Sequence, residues 1–255
     1  MAEANGTQPV AAERQITSAL LVIGDEILSG RTKDKNIGHI AERLTEIGAD
    51  LREVRVVPDV EEDIVDALNA LRRRYTYVFT TGGIGPTHDD ITADAVAKAF
   101  GVSIDVDPRA KAMLLQFIAE KDLNEARLRM ARIPAGADLI ANSVSKAPGF
   151  RIGNVIVMAG VPAIMHAMLE VVLPTLDTGP RMLSETVLAN AKEGDIAAPL
   201  KAIAERFPGV SIGSYPFTSD TGPNTNLVVR SRDPHALAAA REAVMAMVAG
   251  RQSVG

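Results

Sequence analysis

The sequence predicts an α/β protein in two parts: a parallel sheet covered by helices, then a small α+β unit. Three observations carry this. Short apolar runs alternate with segments of helical period over the first two thirds of the 255 residues. Three of those runs end in turns that contain glycine. After Pro174, Gly179 and Pro180 the order of elements changes.

Taken in order, residues 1–15 are small and polar without periodicity, and read as a disordered tail. Residues 19–23 (ALLVI) form a continuous apolar run, as expected of a strand buried on both faces. The run stops at Gly24. From Asp34 onward, Ile37, Ile40, Ala41, Leu44 and Ile47 share one helical face, closed by Gly48. A second strand (51–57), a helix (61–74), a third strand (75–80) and a helix from Asp90 to Phe100 repeat the cycle. Such alternation implies parallel pairing through right-handed crossovers.

Residues 108–130 read as two helices broken near Asn124, and 150–158 as a hairpin turning at Gly153 and Asn154. Gly160-Val161-Pro162 opens a helix running to Leu173. The remainder, 179–255, reads strand (184–188), helix (195–207), paired strands (210–215 and 226–231) and helix (234–249).

Composition then narrows the function. With 47% hydrophobic and 23% charged residues, the chain can bury a substantial core. A net charge of -5, 4% aromatics and no Trp argue against a nucleic-acid partner, which needs a basic face or stacking platform. The run Arg72-Arg73-Arg74 reads as a solvated helix end. The absence of cysteine excludes disulfides, thiolate metal sites and cysteine nucleophiles. No stretch has signal-peptide or membrane-spanning character, so a cytoplasmic location without a membrane partner is expected.

The glycine turns are where chemistry is expected, because ligands of open α/β sheets sit beyond the carboxyl ends of the strands. They are Gly24-Asp25-Glu26, the run Thr81-Gly82-Gly83-Ile84-Gly85-Pro86, and Gly160-Val161-Pro162. The middle one joins a strand to a helix, so its N–H groups and the helix dipole suit a phosphate. It is neither a Rossmann fingerprint, since His88 stands at the third glycine, nor a P-loop. Asp89 and Asp90, with Thr92, open the next helix. One carboxylate suits an N-cap, and a second beside a phosphate suits a divalent metal or water activation. His88 is a candidate acid or base, although loop histidines are usually solvated bystanders. Asp34 suits a cap, while Asn36 is free to hydrogen-bond a ligand.

Together these residues resemble the MoaB/Mog, or molybdopterin-binding-like, family, and its CinA type in particular. Residues 24–30 (GDEILSG) with Asp34 and Asn36, residues 81–87 (TGGIGPT) with Asp89 to Thr92, Ala147-Pro148-Gly149-Phe150, and Gly160-Val161-Pro162 carry the likeness. It implies a MoaB/Mog-like parallel-sheet, three-layer domain over 16–178. Ile164 departs from the pattern, standing where the family often has Glu. The deamidase domain of full-length CinA proteins has no room before residue 255, so that activity is not expected. Residues 191–197 and 212–216 further resemble the region beside the MoaB/Mog-like domain of FAD synthases.

The resemblance implies a nucleotide or pterin phosphate ligand and a homo-oligomer. One expectation is a pyrophosphatase acting on ADP-ribose or FAD with Mg²⁺, Mn²⁺ or Co²⁺. Catalysis would fall to Asp90, Asp89 and Glu26, and metal binding to Asp25, Glu26 and Asp90. The ligand would be held by Gly24, Asp25, Asn36, Thr81, Gly82, Gly83, Gly85, Pro86, Thr92, Pro148, Gly160 and Pro162. The alternatives are a molybdopterin-binding or adenylylating protein, and a binding module without chemistry.

Overall fold

The computed structural model describes residues 15–219 and 222–252, and the expected tail lies outside them apart from Gln15. The chain divides into two compact units, Met1–Gly179 and Pro180–Gly255.

In the first unit β1 (Ile16–Ile23), α1 (Asp25–Leu28), α2 (Ile37–Glu46), β2 (Ala49–Val57), α3 (Glu61–Arg74), β3 (Tyr77–Thr81) and α4 (Thr92–Phe100) follow one another. Then come β4 (Ile104–Val106), α5 (Pro108–Leu114), α6 (Glu125–Arg129), β5 (Arg132–Pro134), β6 (Asp138–Ile140), β7 (Gly149–Ile152), β8 (Val155–Met158) and α7 (Pro162–Val172). The main sheet runs β2-β1-β3-β8-β7-β6. Its first four strands are parallel. The β7–β8 hairpin turns at Gly153, at φ 56°, and so adds an antiparallel edge completed by β6.

The apolar run in β1 explains the layering. Leu20 and Val22 pack into one cluster with Ile40 and Leu44 of α2 and Met165 and Leu169 of α7. Ala19, Leu21 and Ile23 pack into another with Ile64 and Leu68 of α3 and Ala95 and Val96 of α4. Side chains alternate across a strand, so one continuous run feeds a core on each face. Both Ile40 and Leu44 are fully buried, and truncating either to Ala costs about 2–5 kcal/mol.

Two sequence expectations need correction here. The helix expected from Asp90 begins at Thr92, because the Asp90 side chain is used in the preceding turn. Between 108 and 130 only α5 and α6 are helical, with a 3-10 turn at Glu120–Asp122 between them. The break near Asn124 is a cap: Asn124 Oδ1 accepts the Arg127 N–H at 3.0 Å. The short pair β4–β5, and β6, lie where no strand was expected.

The second unit comprises β9 (Leu183–Leu188), α8 (Glu193–Arg206), β10 (Ser211–Ser219), β11 (Gly222–Ser231) and α9 (Pro234–Gln252). Its antiparallel sheet runs β10-β11-β9. Leu227 and Val229 are buried against Ile196, Ile203, Leu237 and Val244. Among the described residues, no helix is long and apolar enough to cross a membrane.

Candidate functional site

The chain leaves β1 toward β2 on one side, and leaves β3 toward β8 on the other. That reversal opens a crevice at the carboxyl ends of β1 and β3, the usual ligand position in such sheets. The turns after β1, β3 and β8 meet there.

They meet main chain to main chain. Gly82 has φ 103°, and a Cβ on it would collide with the carbonyl of Ile23. Its N–H donates to Met158 O at 3.2 Å. A Cβ on Gly160 would lie 3.3 Å from the Cα of Gly82. Gly83, at φ 67°, faces Thr92 so closely that a methyl would strike the threonine hydroxyl. Thr92 is fully buried, donates that hydroxyl to Gly82 O at 3.0 Å and its N–H to Gly83 O at 3.0 Å. Thr92 is thus a brace for the turn. The space beside Gly83 is filled by Thr92. Gly83 can meet a ligand through its main chain alone.

Asp90 closes a tight turn. Its Oδ2 accepts the N–H of Thr87 at 2.8 Å and the Thr87 hydroxyl at 2.5 Å. Neither Asp89 nor Asp90 is the cap expected of one of them: the residue before α4 is Ile91, and Asp90 acts inside the loop. Arg129, which sequence reading passed over, donates from Nη2 to Asp90 O at 3.1 Å and ties α6 to this turn. Gly85 sits under the Asp90 carboxylate, where a Cβ would approach Oδ2 to 2.6 Å. Pro86 is exposed at the loop tip, as is His88.

Gly24 ends β1 and is buried, with the Glu26 carboxylate folded back over it. Asp25 is exposed, and its N–H donates to Asp59 Oδ2 at 3.0 Å. Asp59 was also missed: it follows Pro58 in a turn without glycine, and nothing local marks it. Burial pushes its carboxyl above the usual range, and the charges of Asp25, Glu26 and Asp89 push the same way against the Asp25 N–H. Asp59 is thus tied to the first turn through the Asp25 main chain. The expected metal trio of Asp25, Glu26 and Asp90 is not gathered: among the described residues, no three potential ligands converge.

Asn36 is nearly buried and donates from Nδ2 to Gly160 O at 2.8 Å, linking the start of α2 to the third turn. Asp34 accepts the N–H groups of Asn36 and Ile37 at 3.0 and 2.8 Å, and so caps α2. Asn36 Oδ1 and the buried Thr81 hydroxyl have no protein partner.

Two cavities share this crevice. A pocket of about 200 Å³ is lined by Glu26, Lys33, Asn36, Thr81 and Pro162 among others. A cleft of about 580 Å³ is lined by Glu26, Asp90 and residues 82–86 together with Phe117, Met130, Ile164 and Met168. Pro148, expected in the outer pocket, is buried beside a void of only about 10 Å³; Ser145 and Ala147 line the cleft instead. Elsewhere, His39 of α2 and His166 of α7, distant in sequence, stack with ring centroids 3.7 Å apart.

Comparison with known proteins adds independent findings. A family profile described as a probable molybdopterin binding domain matches residues 19–178, and one described as the FAD synthase middle domain matches 181–254. A protein of Aeropyrum pernix is 34% identical over 247 residues, covering 92% of each chain. A CinA-like protein of Citrifermentans bemidjiense is 43% identical over 165 residues, 62% of this chain and 40% of the relative. The crystal structure of a CinA protein of unknown function from Thermoplasma acidophilum superposes with a TM-score of 0.59 at 35% identity, covering 62% of this chain and 96% of that one.

Proposed function

The chain belongs to the molybdopterin-binding (MoaB/Mog) domain family in its CinA-like form, and from that premise we propose that it hydrolyses the diphosphate of ADP-ribose or FAD with a divalent cation. One observation carries the reading. The crevice has a glycine turn that suits a phosphate, and the Glu26 and Asp90 carboxylates line the same cleft. A divalent cation would offset the repulsion between an anionic ligand and those carboxylates.

The donor set suits that cation. Carboxylate oxygens are hard ligands, and Mg²⁺ is commonly held by one or two of them plus substrate phosphates, so a preformed three-carboxylate cage is not needed. Asp25 and Glu26 would hold it, with Asp59 behind them. When bound, a divalent ion supplies charge neutralisation and phosphoryl polarisation. The chain's own part is positioning: main-chain N–H groups of 83–85 would hold the phosphate, Lys33 and Lys35 stand at the pocket, and Asn36 locks the start of α2 to the third turn. A cytoplasmic homo-oligomer completes the proposal, and sedimentation showing only monomer at micromolar concentration would remove that part.

The family itself favours a second reading, molybdopterin binding or adenylylation. A turnover screen separates them. ADP-ribose, FAD, and ATP with molybdopterin are each supplied with Mg²⁺, Mn²⁺ and Co²⁺. Release of AMP from ADP-ribose or FAD, lost on chelation, is expected. Turnover of ATP with molybdopterin alone supports the second reading, and no turnover at all leaves a binding module.

A further inference from the structure

The larger cleft has a lining of two unlike kinds. The main chain of the glycine turn and the Glu26 and Asp90 carboxylates are joined there by apolar side chains, Phe117, Ile118, Met130, Ile164 and Met168. Phe117 is 67% exposed, the most exposed large apolar side chain among the described residues. It is nevertheless anchored: its N–H and that of Ile118 both donate to Leu114 O, at 3.0 and 2.8 Å, so the segment after α5 presents the ring. Met168 is buried, and its sulfur accepts the Ala159 N–H at 3.4 Å, which ties it to the third turn. A volume of about 580 Å³ lies within the usual range for a ring-bearing small molecule.

We infer that this apolar wall selects a ligand ending in a fused planar ring with an apolar edge, of the isoalloxazine kind, over one ending in a sugar. The inference rests on the reading that a diphosphate lies at the 82–85 turn, and it decides between the two substrates which that reading leaves open. An aromatic face and thioether sulfurs favour a flat π-system. A terminal ribose placed there would turn its hydroxyls toward a wall on which they find few partners, and buried polar groups without partners are costly. A pterin is flat, but its edges are polar throughout, so this wall suits it less well.

Binding tests the inference apart from turnover. The probes are FMN, followed by its fluorescence, and ribose 5-phosphate and 6-hydroxymethylpterin, followed by calorimetry. Each is titrated into the full chain and into Phe117→Ala, which removes an exposed ring and so spares the core. FMN is expected to bind at least tenfold tighter than ribose 5-phosphate. Phe117→Ala should weaken FMN by about tenfold, the usual scale of a lost aromatic stack, and leave ribose 5-phosphate within twofold. Absence of FMN binding, equal affinity for the sugar phosphate, equal loss of both in the variant, or tighter binding of the pterin each overturns the inference. Hydrolysis of ADP-ribose and FAD at equal kcat/KM, with Phe117→Ala silent, overturns it while the pyrophosphatase reading stands. FMN discrimination without any hydrolysis does the reverse.

Discussion

Thr92 shows how a single side chain can shape the crevice without reaching it. Its hydroxyl holds the Gly82 carbonyl, and its position dictates that residue 83 has no Cβ. Thr92→Val keeps the shape and removes the hydrogen bond, so it should destabilise the chain by about 1–3 kcal/mol, measured by urea unfolding. Thr92→Ser, which keeps the hydroxyl, should recover most of that loss. Gly83→Ala should cost more than about 1 kcal/mol, since it combines a positive φ with a collision against Thr92. A Gly83→Ala protein that melts like its parent would contradict the geometry. Asp90→Asn retains one acceptor toward Thr87, so its stability should change by less than about 1 kcal/mol. If Asp90 serves the reaction, hydrolysis of ADP-ribose or FAD collapses nonetheless. Full activity in that variant would leave chemistry to Asp25, Glu26, Asp59 and Asp89.

Residues of this kind were unevenly legible. The three glycine turns stand out because glycine after an apolar run has few other meanings. Asp59 and Arg129 did not, because what distinguishes them is a neighbour far along the chain. The reason for each glycine was also hidden, since a ligand and a crowding main chain leave the same mark on a sequence.

At the scale of elements, α2 and α7 are joined by the stacked pair His39 and His166 and by Arg43 reaching Glu170 at 2.9 Å. Burial lowers the His166 pKa from its usual 6.5, the neighbouring His39 lowers it further, and Glu170 opposes both. A base whose folded pKa is depressed contributes its full stability above the unfolded value. That contribution is lost as pH falls through 6.5 toward the lowered folded value. The urea midpoint should therefore fall between pH 7.5 and 5.5, and His166→Phe, which keeps a ring against His39, should flatten the change. An equal fall in both proteins would assign the pH dependence to other groups. The helices themselves were easy to foresee where period and caps agreed, as in α3. Between 108 and 130 they are shorter than the apolar pattern suggests: α5 packs Ala110 and Leu114 inward and stops there, leaving Phe117 out. Strands of three residues are too short to carry any period.

For the whole molecule, the core is already partitioned. Two clusters drawn from Ile16 to Leu176 serve the sheet of the first unit, and a third, Ala189 to Val248, serves the second. Fragments 15–179 and 180–252 should each fold cooperatively, seen as a sigmoidal thermal melt by circular dichroism. A second fragment without such a transition would show that its cluster is insufficient alone. The parallel sheet was legible because a strand buried on both faces reads as one unbroken apolar run. The antiparallel edge was half visible, through the Gly153 turn, and the rest depends on long-range pairing.

The junction of Ile23, Gly82 and Gly160 bears on how this protein can diversify. A floor built from main chain offers selection almost nothing to tune, because substitution there displaces whole turns. The residues free to vary are those of the apolar lining, Phe117, Met130 and Ile164, each on a separate segment. Evolution of a new preference would then proceed by exchanging side chains in that lining while the anchoring floor is inherited unchanged.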